Sequence, residues 1–237
     1  MTTAPTLFLD FDGTITVRDV TDVILEAFAD RRWLDVEEAW KAGRIGSRTC
    51  LTSQMALVTA GRRDLDALLD GIEVDAGFVT LLEWSVAHLA PVHIVSDGFD
   101  YCVHRILARP SLGLARYLKD VRIVSSHLEA DGQRWCPRFT SPVEPCVHGF
   151  ATCKPAAMGR LATAAAPRVF VGDGLSDRYA AAAADIVFAK DSLAAYCAEH
   201  SIPYTAYTSL AMVAWRLEEL LVETTVETVH RKAVPTT

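Results

Sequence analysis

The residues able to do chemistry fall in four short stretches: "LFLDFDGTIT" (Leu7–Thr16), "VSDG" (Val95–Gly98), "CKP" (Cys153–Pro155) and "VGDGLSD" (Val171–Asp177). Asp10 and Asp12 are two apart, so on an extended strand both carboxylates face the same way, and Gly13 permits a tight departure into the next loop. Two like charges at one strand end repel and require a counter-charge. A hard divalent cation such as Mg²⁺, held by carboxylate, carbonyl and water oxygens, supplies it and keeps positions open for a phosphate. Asp173 is a third acidic group, while Lys154 and Ser96 add a cation and a small hydroxyl. Such a set suits phosphoryl transfer, in which positioning and charge neutralisation provide most of the catalysis.

These stretches must be held together by a scaffold. Short apolar runs, Leu7–Phe11, Val92–Val95, Val121–Val124, Val169–Val171 and Ile186–Phe188, read as buried parallel strands. Segments of helical length and propensity separate them: Pro155–Ala165, Ser176–Ala184, Leu193–His200 and Leu210–Val222. The pattern predicts an α/β fold with a Rossmann-like, mostly parallel sheet and helices on both faces. In such sheets ligands bind outside the carboxyl ends of the strands, where Asp10, Asp12, Ser96, Asp97 and Asp173 fall. The distance from Asp12 to Ser96 exceeds one crossover helix. Helical patterns within it (Val20, Val23, Ile24, Ala27 and Phe28; Leu51, Met55 and Val58; Leu65, Leu68 and Leu69) predict a helical cap over 16–76, inserted in a core of 1–15 and 77–237. A helix from Ala76 to Leu89 returns to the core, and the polar tail beyond Val222 is expected to fray.

Composition limits the function classes. A net charge of −7 with no Lys/Arg cluster argues against a nucleic-acid surface. No apolar run approaches 18 residues, which argues against a membrane span, and the absence of a signal-like start suggests a cytoplasmic protein. A small phosphorylated metabolite is the expected partner, with the chain a monomer or homodimer. The six cysteines are expected to be free thiols. Cys136, Cys146, His148 and Cys153 offer three thiols and an imidazole for a structural Zn²⁺, although no Cys-x-x-Cys pair is present and ordinary loop and core cysteines are the alternative.

In this order, "DFDGT", "VSDG", "CKP" and "VGDGLSD" resemble the four motifs of the haloacid dehalogenase superfamily of phosphatases. The resemblance implies Asp10 as the nucleophile that forms an aspartyl-phosphate, and Asp12 as the acid and then base. It implies Mg²⁺ held by Asp10, Asp173 and the Asp12 carbonyl, and phosphate bound by Ser96, Asp97, Gly98 and Lys154. Asp177 would orient the metal's water or Lys154.

The insertion resembles the small cap of the phosphoserine phosphatase-like subgroup. There a Glu after the first motif and a cap Arg hold the substrate, whereas this chain has Asp19 and Gln54 in those places. The closer resemblance is to the methionine-salvage phosphatases that act on 2-hydroxy-3-keto-5-methylthiopentenyl-1-phosphate, on account of Asp19, "SQMALV" and "IVFAKD". Their second motif usually reads Ser-Gly-Gly, so Asp97 is a departure that either alters substrate choice or faces solvent. Asp19, Arg48 and Gln54 are the candidate substrate residues of the cap. Arg18 is a weaker candidate, and Trp33, Trp40 and Trp84 are candidates either for pocket lining or for packing. A phosphoserine phosphatase, a phosphotransferase on the same scaffold and a non-catalytic phosphate-binding module are the competing readings; retention of all four motif side chains speaks against the last.

Overall fold

The computed structural model describes residues 4–139 and 149–233, of which 223–233 are given by backbone alone. Seven strands form one sheet: β1 (Thr6–Leu9), β2 (Val92–Phe99), β3 (Arg122–Asp131), β4 (Arg134–Arg138), β5 (Arg168–Gly172), β6 (Ile186–Ala189) and β7 (Thr205–Ala206), in the spatial order β4-β3-β2-β1-β5-β6-β7. All neighbours are parallel except β3 and β4, which form an antiparallel hairpin. β1 lies at the centre, with Leu7 beside Val92 on one flank and Val169 on the other.

Side chains two apart share a sheet face, and the two faces carry separate cores. Leu7, Leu9, Val169 and Val171 pack into one cluster. It includes helices α1 (Val20–Phe28), α4 (Arg62–Asp70), α5 (Phe78–Ala87), α6 (Asp100–Leu107) and α10 (Leu210–Ala233). Phe8, Phe170 and Val187 pack on the other face against α7 (Lys154–Leu161), α8 (Arg178–Ala183) and α9 (Asp191–Glu199). Burial on both faces explains why these strands are continuous apolar runs.

Between β1 and β2 the chain forms α1 and α4 and, between them, α2 (Trp33–Lys41) and α3 (Ser47–Met55). The two crossings out of and back into the sheet meet at a β-bridge between Thr16 and Val74. The β3–β4 hairpin reaches these helices: Trp135 donates its indole N–H to the Ala60 carbonyl (2.9 Å), and Ala60 N–H bonds Gln133 O (3.3 Å).

Three features depart from the sequence reading. α2 is an additional helix with no buried residue, and so has no fully apolar face to announce it. β4 is a strand that the apolar-run reading did not include. The last helix continues to Ala233, with no proline or glycine to stop it before Pro235. No described helix is long and apolar enough to cross a membrane. Cys50, Cys102, Cys136 and Cys197 carry free thiols.

Helix α5 is tied to α10 through Asp75, whose carboxylate accepts the N–H groups of Gly77 (2.7 Å) and Leu210 (3.2 Å). A Cβ on Gly77 would lie 2.2 Å from the Ala211 backbone nitrogen. We expect Gly77→Ala to lower stability by roughly 1–3 kcal/mol through overpacking, read as a fall in the urea midpoint at unchanged slope.

Candidate active site

β1 ends at Leu9 and delivers Asp10 into the space between β1 and β5, where the Asp10 N–H bonds Val171 O (2.9 Å). Its carboxylate, 4% exposed at the residue level, faces the Lys154 ammonium at 2.9 Å. Lys154 starts α7 and is itself buried. It also donates to Asp177 Oδ1 at 2.5 Å, so one ammonium bridges two acids from different elements. The other Asp177 oxygen accepts the backbone N–H groups of Asp173 (3.1 Å) and Gly174 (3.2 Å). A side chain on Gly172 would collide with that carboxylate, 2.4 Å from the Cβ position. Asp173 follows β5 and accepts the Thr14 hydroxyl (2.6 Å). Gly13, at φ +75, brings the loop so near that a Cβ would lie 2.4 Å from Asp173 Oδ2; glycine is required there for conformation and for space.

Asp12 sits at the rim. Its carboxylate accepts the Val20 N–H (3.2 Å) and the Ser96 hydroxyl (3.0 Å), and the Gly98 N–H bonds Ser96 Oγ (2.8 Å). Only glycine fits at 98, since a Cβ would lie 2.4 Å from Asp12 Oδ2.

Among the described residues, Asp10, Asp173 and Asp177 are the one set whose carboxylate oxygens gather within 4.8 Å of one another. Asp10 and Asp177 are buried and Asp173 half-buried, and these three acids outnumber the cations that act on them, Lys154 and, on Asp173, Lys190. Burial, followed by repulsion from Asp177, raises the Asp10 pKa well above the ordinary carboxylate value despite Lys154. The same two causes push Asp173 from 3.8 to about 7. Burial raises Asp12 too, against the hydrogen bonds from Ser96 and Val20. For Lys154, burial alone would depress the ammonium, but Asp10, Asp177 and Asp97 outweigh it and the pKa is raised. A divalent cation fits this donor set, because it restores the missing positive charge and favours the ionised acids.

Asp12 also borders a cavity of about 120 Å³ between the sheet edge and helices α1, α2 and α3. Asp19 caps α1, accepting the Asp22 N–H (3.0 Å), and lines this cavity, as does Gln54, which donates to Glu37 (2.9 Å). Trp40 is the one tryptophan in the wall. Trp33 packs on the core, and Trp84 donates to Glu218 (2.9 Å).

Several expectations are corrected. The Asp97 carboxylate is not turned to solvent: its Oδ1 accepts the Thr152 N–H (2.9 Å), and burial pushes its pKa up to about 6. Arg48 lies over the Phe139 ring, 5.8 Å from its centroid, and does not line the cavity, while Arg18 pairs with Glu26 at 2.8 Å. A structural Zn²⁺ is not supported: Cys146 and His148 lie outside the described residues, and no cysteine belongs to the metal-compatible set within them. Sequence reasoning missed Thr14, Asp22 and Glu37. Thr14 stands inside the first motif, and Asp22 lies one helical turn beyond Asp19. Glu37 carries no comparable signal.

Residues 7–182 match the family profile of haloacid dehalogenase-like hydrolases. The chain belongs to the haloacid dehalogenase-like hydrolase family. It is similar to a 2-hydroxy-3-keto-5-methylthiopentenyl-1-phosphate phosphatase of Geobacillus kaustophilus (strain HTA426), 29% identical over 225 residues, which are 93% of this chain and 98% of the relative. Among solved structures, it resembles a HAD family hydrolase from Salmonella enterica serovar Typhi (TM-score 0.67, 19% identity, 89% of this chain and 70% of the other). It also resembles a phosphoserine phosphatase from T. onnurineus (TM-score 0.63, 14% identity, 90% and 94%). At these identities the two structures speak for the fold alone.

The raised acids of this hydrolase make a pH prediction. Without a cation the folded protein holds a proton on Asp173 up to about pH 7 that the unfolded chain releases near 3.8. Stability from this group is therefore present below the unfolded value and lost as pH rises through the folded one. Mg²⁺ held by these acids would take over the proton's role, so it is expected to raise Tm more at pH 8 than at pH 6. Equal shifts at both pH values in thermal melts would show that cation and proton do not share these acids.

Proposed function

We infer that the chain is a Mg²⁺-dependent phosphoric monoester hydrolase of small metabolites, acting through a phosphorylated aspartate. The observation that carries this reading is the Lys154 ammonium held between Asp10 and Asp177, with Asp12 at the rim of the same cluster. Lys154 holds the Asp10 carboxylate in place and offers positive charge to the incoming phosphoryl oxygens. An Asp10 oxygen attacks phosphorus, and the bond from phosphorus to the leaving oxygen breaks. Asp12, whose raised pKa keeps a proton available, passes that proton to the leaving alkoxide. The emptied carboxylate then takes a proton from water as the water attacks the acyl phosphate, which frees Asp10 and inorganic phosphate. The Ser96 hydroxyl, which bonds Asp12, would turn to a phosphoryl oxygen when substrate binds.

Mg²⁺, when bound, neutralises the charge that phosphate brings to the acid cluster. Asp10, Asp173 and the Asp12 carbonyl would hold it. Asp177 has both oxygens engaged by Lys154 and by the Asp173–Gly174 backbone, which supports a positioning role. Residues 16–76 act as the cap that covers the leaving group. The free thiols accord with a cytoplasmic setting.

The relative's substrate, the methionine-salvage enol phosphate, is the first compound to assay. Phosphoserine is disfavoured, because among the described residues no arginine lines the cavity to take its carboxylate. Asp10→Asn is expected to reduce phosphate release by at least about 10³-fold with the fold intact. Incorporation of ³²P from labelled substrate into wild type, and its absence in this variant, checks the covalent step; activity retained by Asp10→Asn would sink the proposal.

A further inference from the structure

Asp97 takes no step in the proposed reaction, yet its side chain is built into the site. The pairing of β2 with β3 loses regular register between Val95 and Phe99, and such irregularities re-aim side chains. The residues on either side of Asp97 are fixed: Ser96 Oγ accepts the Gly98 N–H (2.8 Å) and donates to Asp12 (3.0 Å). From this firm base the half-buried Asp97 carboxylate reaches another loop and accepts the Thr152 N–H at 2.9 Å, two residues before Lys154. The neighbouring Ala151 N–H acts on the same carboxylate.

The loop that receives this bond has to hold a difficult residue. Lys154 is buried at the first position of α7, where the helix dipole as well as dehydration opposes an ammonium. The helix start has little of its own to fix it: Cys153, at the N-cap, makes no side-chain capping bond, and Pro155 has no N–H to offer. Ala151, Thr152 and Cys153 are each at most 5% exposed, so the Thr152 N–H depends on an acceptor within the protein. The cap touches this loop farther back, where Gly149 O accepts the Ser47 N–H (3.1 Å). Asp97 is nearer to Lys154 and brings charge as well. Burial depresses the Lys154 pKa, and Asp97 is the third acid, after Asp10 and Asp177, that raises it. Among the described residues the ion-pair partners of Lys154 are Asp10 and Asp177, so Asp97 acts through the Thr152 backbone and at longer range.

We propose that Asp97 is a positioning residue for the phosphoryl transfer: by holding the backbone at Ala151 and Thr152, it sets the Lys154 ammonium against Asp10 and the incoming phosphate. The carboxylate does this without touching the substrate. This rests on the phosphatase reading above and deepens it, because one side chain then links the stretch that carries Ser96 to the stretch that carries Lys154.

The test compares wild type with Asp97→Asn, which keeps an oxygen for the Thr152 N–H, and with Asp97→Ala and Asp97→Ser, which cannot reach it. With p-nitrophenyl phosphate and Mg²⁺, Asp97→Ala and Asp97→Ser are expected to lose about 10- to 100-fold in kcat/KM, and Asp97→Asn to recover all but a few-fold of that. In a Lys154→Met background, Asp97→Ala is expected to cost less than about twofold more, since its effect passes through the ammonium. Amide hydrogen exchange over residues 151–158, which needs neither turnover nor the Lys154 variant, is expected to quicken in Asp97→Ala and to stay near wild type in Asp97→Asn. Unchanged kcat/KM or exchange in Asp97→Ala, no recovery in Asp97→Asn, or a full further loss on top of Lys154→Met would overturn the proposal while leaving a phosphatase. Absence of phosphate release by the wild type would instead strike the underlying reading, and the exchange comparison would still decide whether Asp97 holds the loop.

Discussion

One buried ammonium organises this molecule. Lys154 lies where burial works against its charge, and it stays charged because Asp10 and Asp177 approach it from two different strand ends. The pairing is asymmetric: Asp10, Asp173 and Asp177 outnumber Lys154 and the Lys190 that acts on Asp173, so a positive partner would balance the pocket. Breaking a buried pair leaves a charge with no solvent to accept it, so each member depends on the others being in place. The raised Asp10 and Asp173 express the same deficit: in the absence of a cation, protons are the available compensation.

The fold meets this constraint by close approach of backbone. β1, β2 and β5 end side by side, which brings the carboxylates together but leaves little room for them. Gly13, Gly98 and Gly172 supply the room, each lying where a Cβ would fall on an Asp oxygen. These glycines are therefore part of the acid cluster in a steric sense. Asp177 adds a second use of backbone, since one of its oxygens clamps two N–H groups of the loop that carries Asp173. Asp173 and Lys154 are thus positioned by the same side chain.

What was legible in the sequence follows from this. Strands buried on both faces appear as apolar runs, and an Asp at the end of such a run has few uses other than a shared site, so Asp10, Asp12 and Asp173 could be read off their positions; Lys154, at the start of α7, was marked by the resemblance of "CKP" to a family motif. The hairpin strand β4 could not, because "RWCPR" is half exposed, contains proline and lacks alternation. Helix α2 was hidden for a similar reason, having no buried residue to set a period. The partner of the Asp97 carboxylate could not be read either, because the Thr152 N–H lies 55 positions along the chain. Contacts of that range carry no local signature.

Asp12 is where the two halves of the site meet. On one side is a dehydrated acid cluster poor in positive charge, and on the other an open cavity bordered by Asp19, Asp22 and Glu37. Its proton is favoured first by burial, and the Ser96 and Val20 hydrogen bonds oppose that without reversing it. In the proposed reaction the acid that protonates the leaving oxygen sits between the group that attacks and the group that departs, and Asp12 borders both the acid cluster and the cavity. Its contact with the inserted helices through the Val20 N–H would then set the side from which a leaving group enters. On that reading, reaction type and substrate choice lie on opposite sides of one side chain: the sheet sets the first and helices α1 to α3 the second.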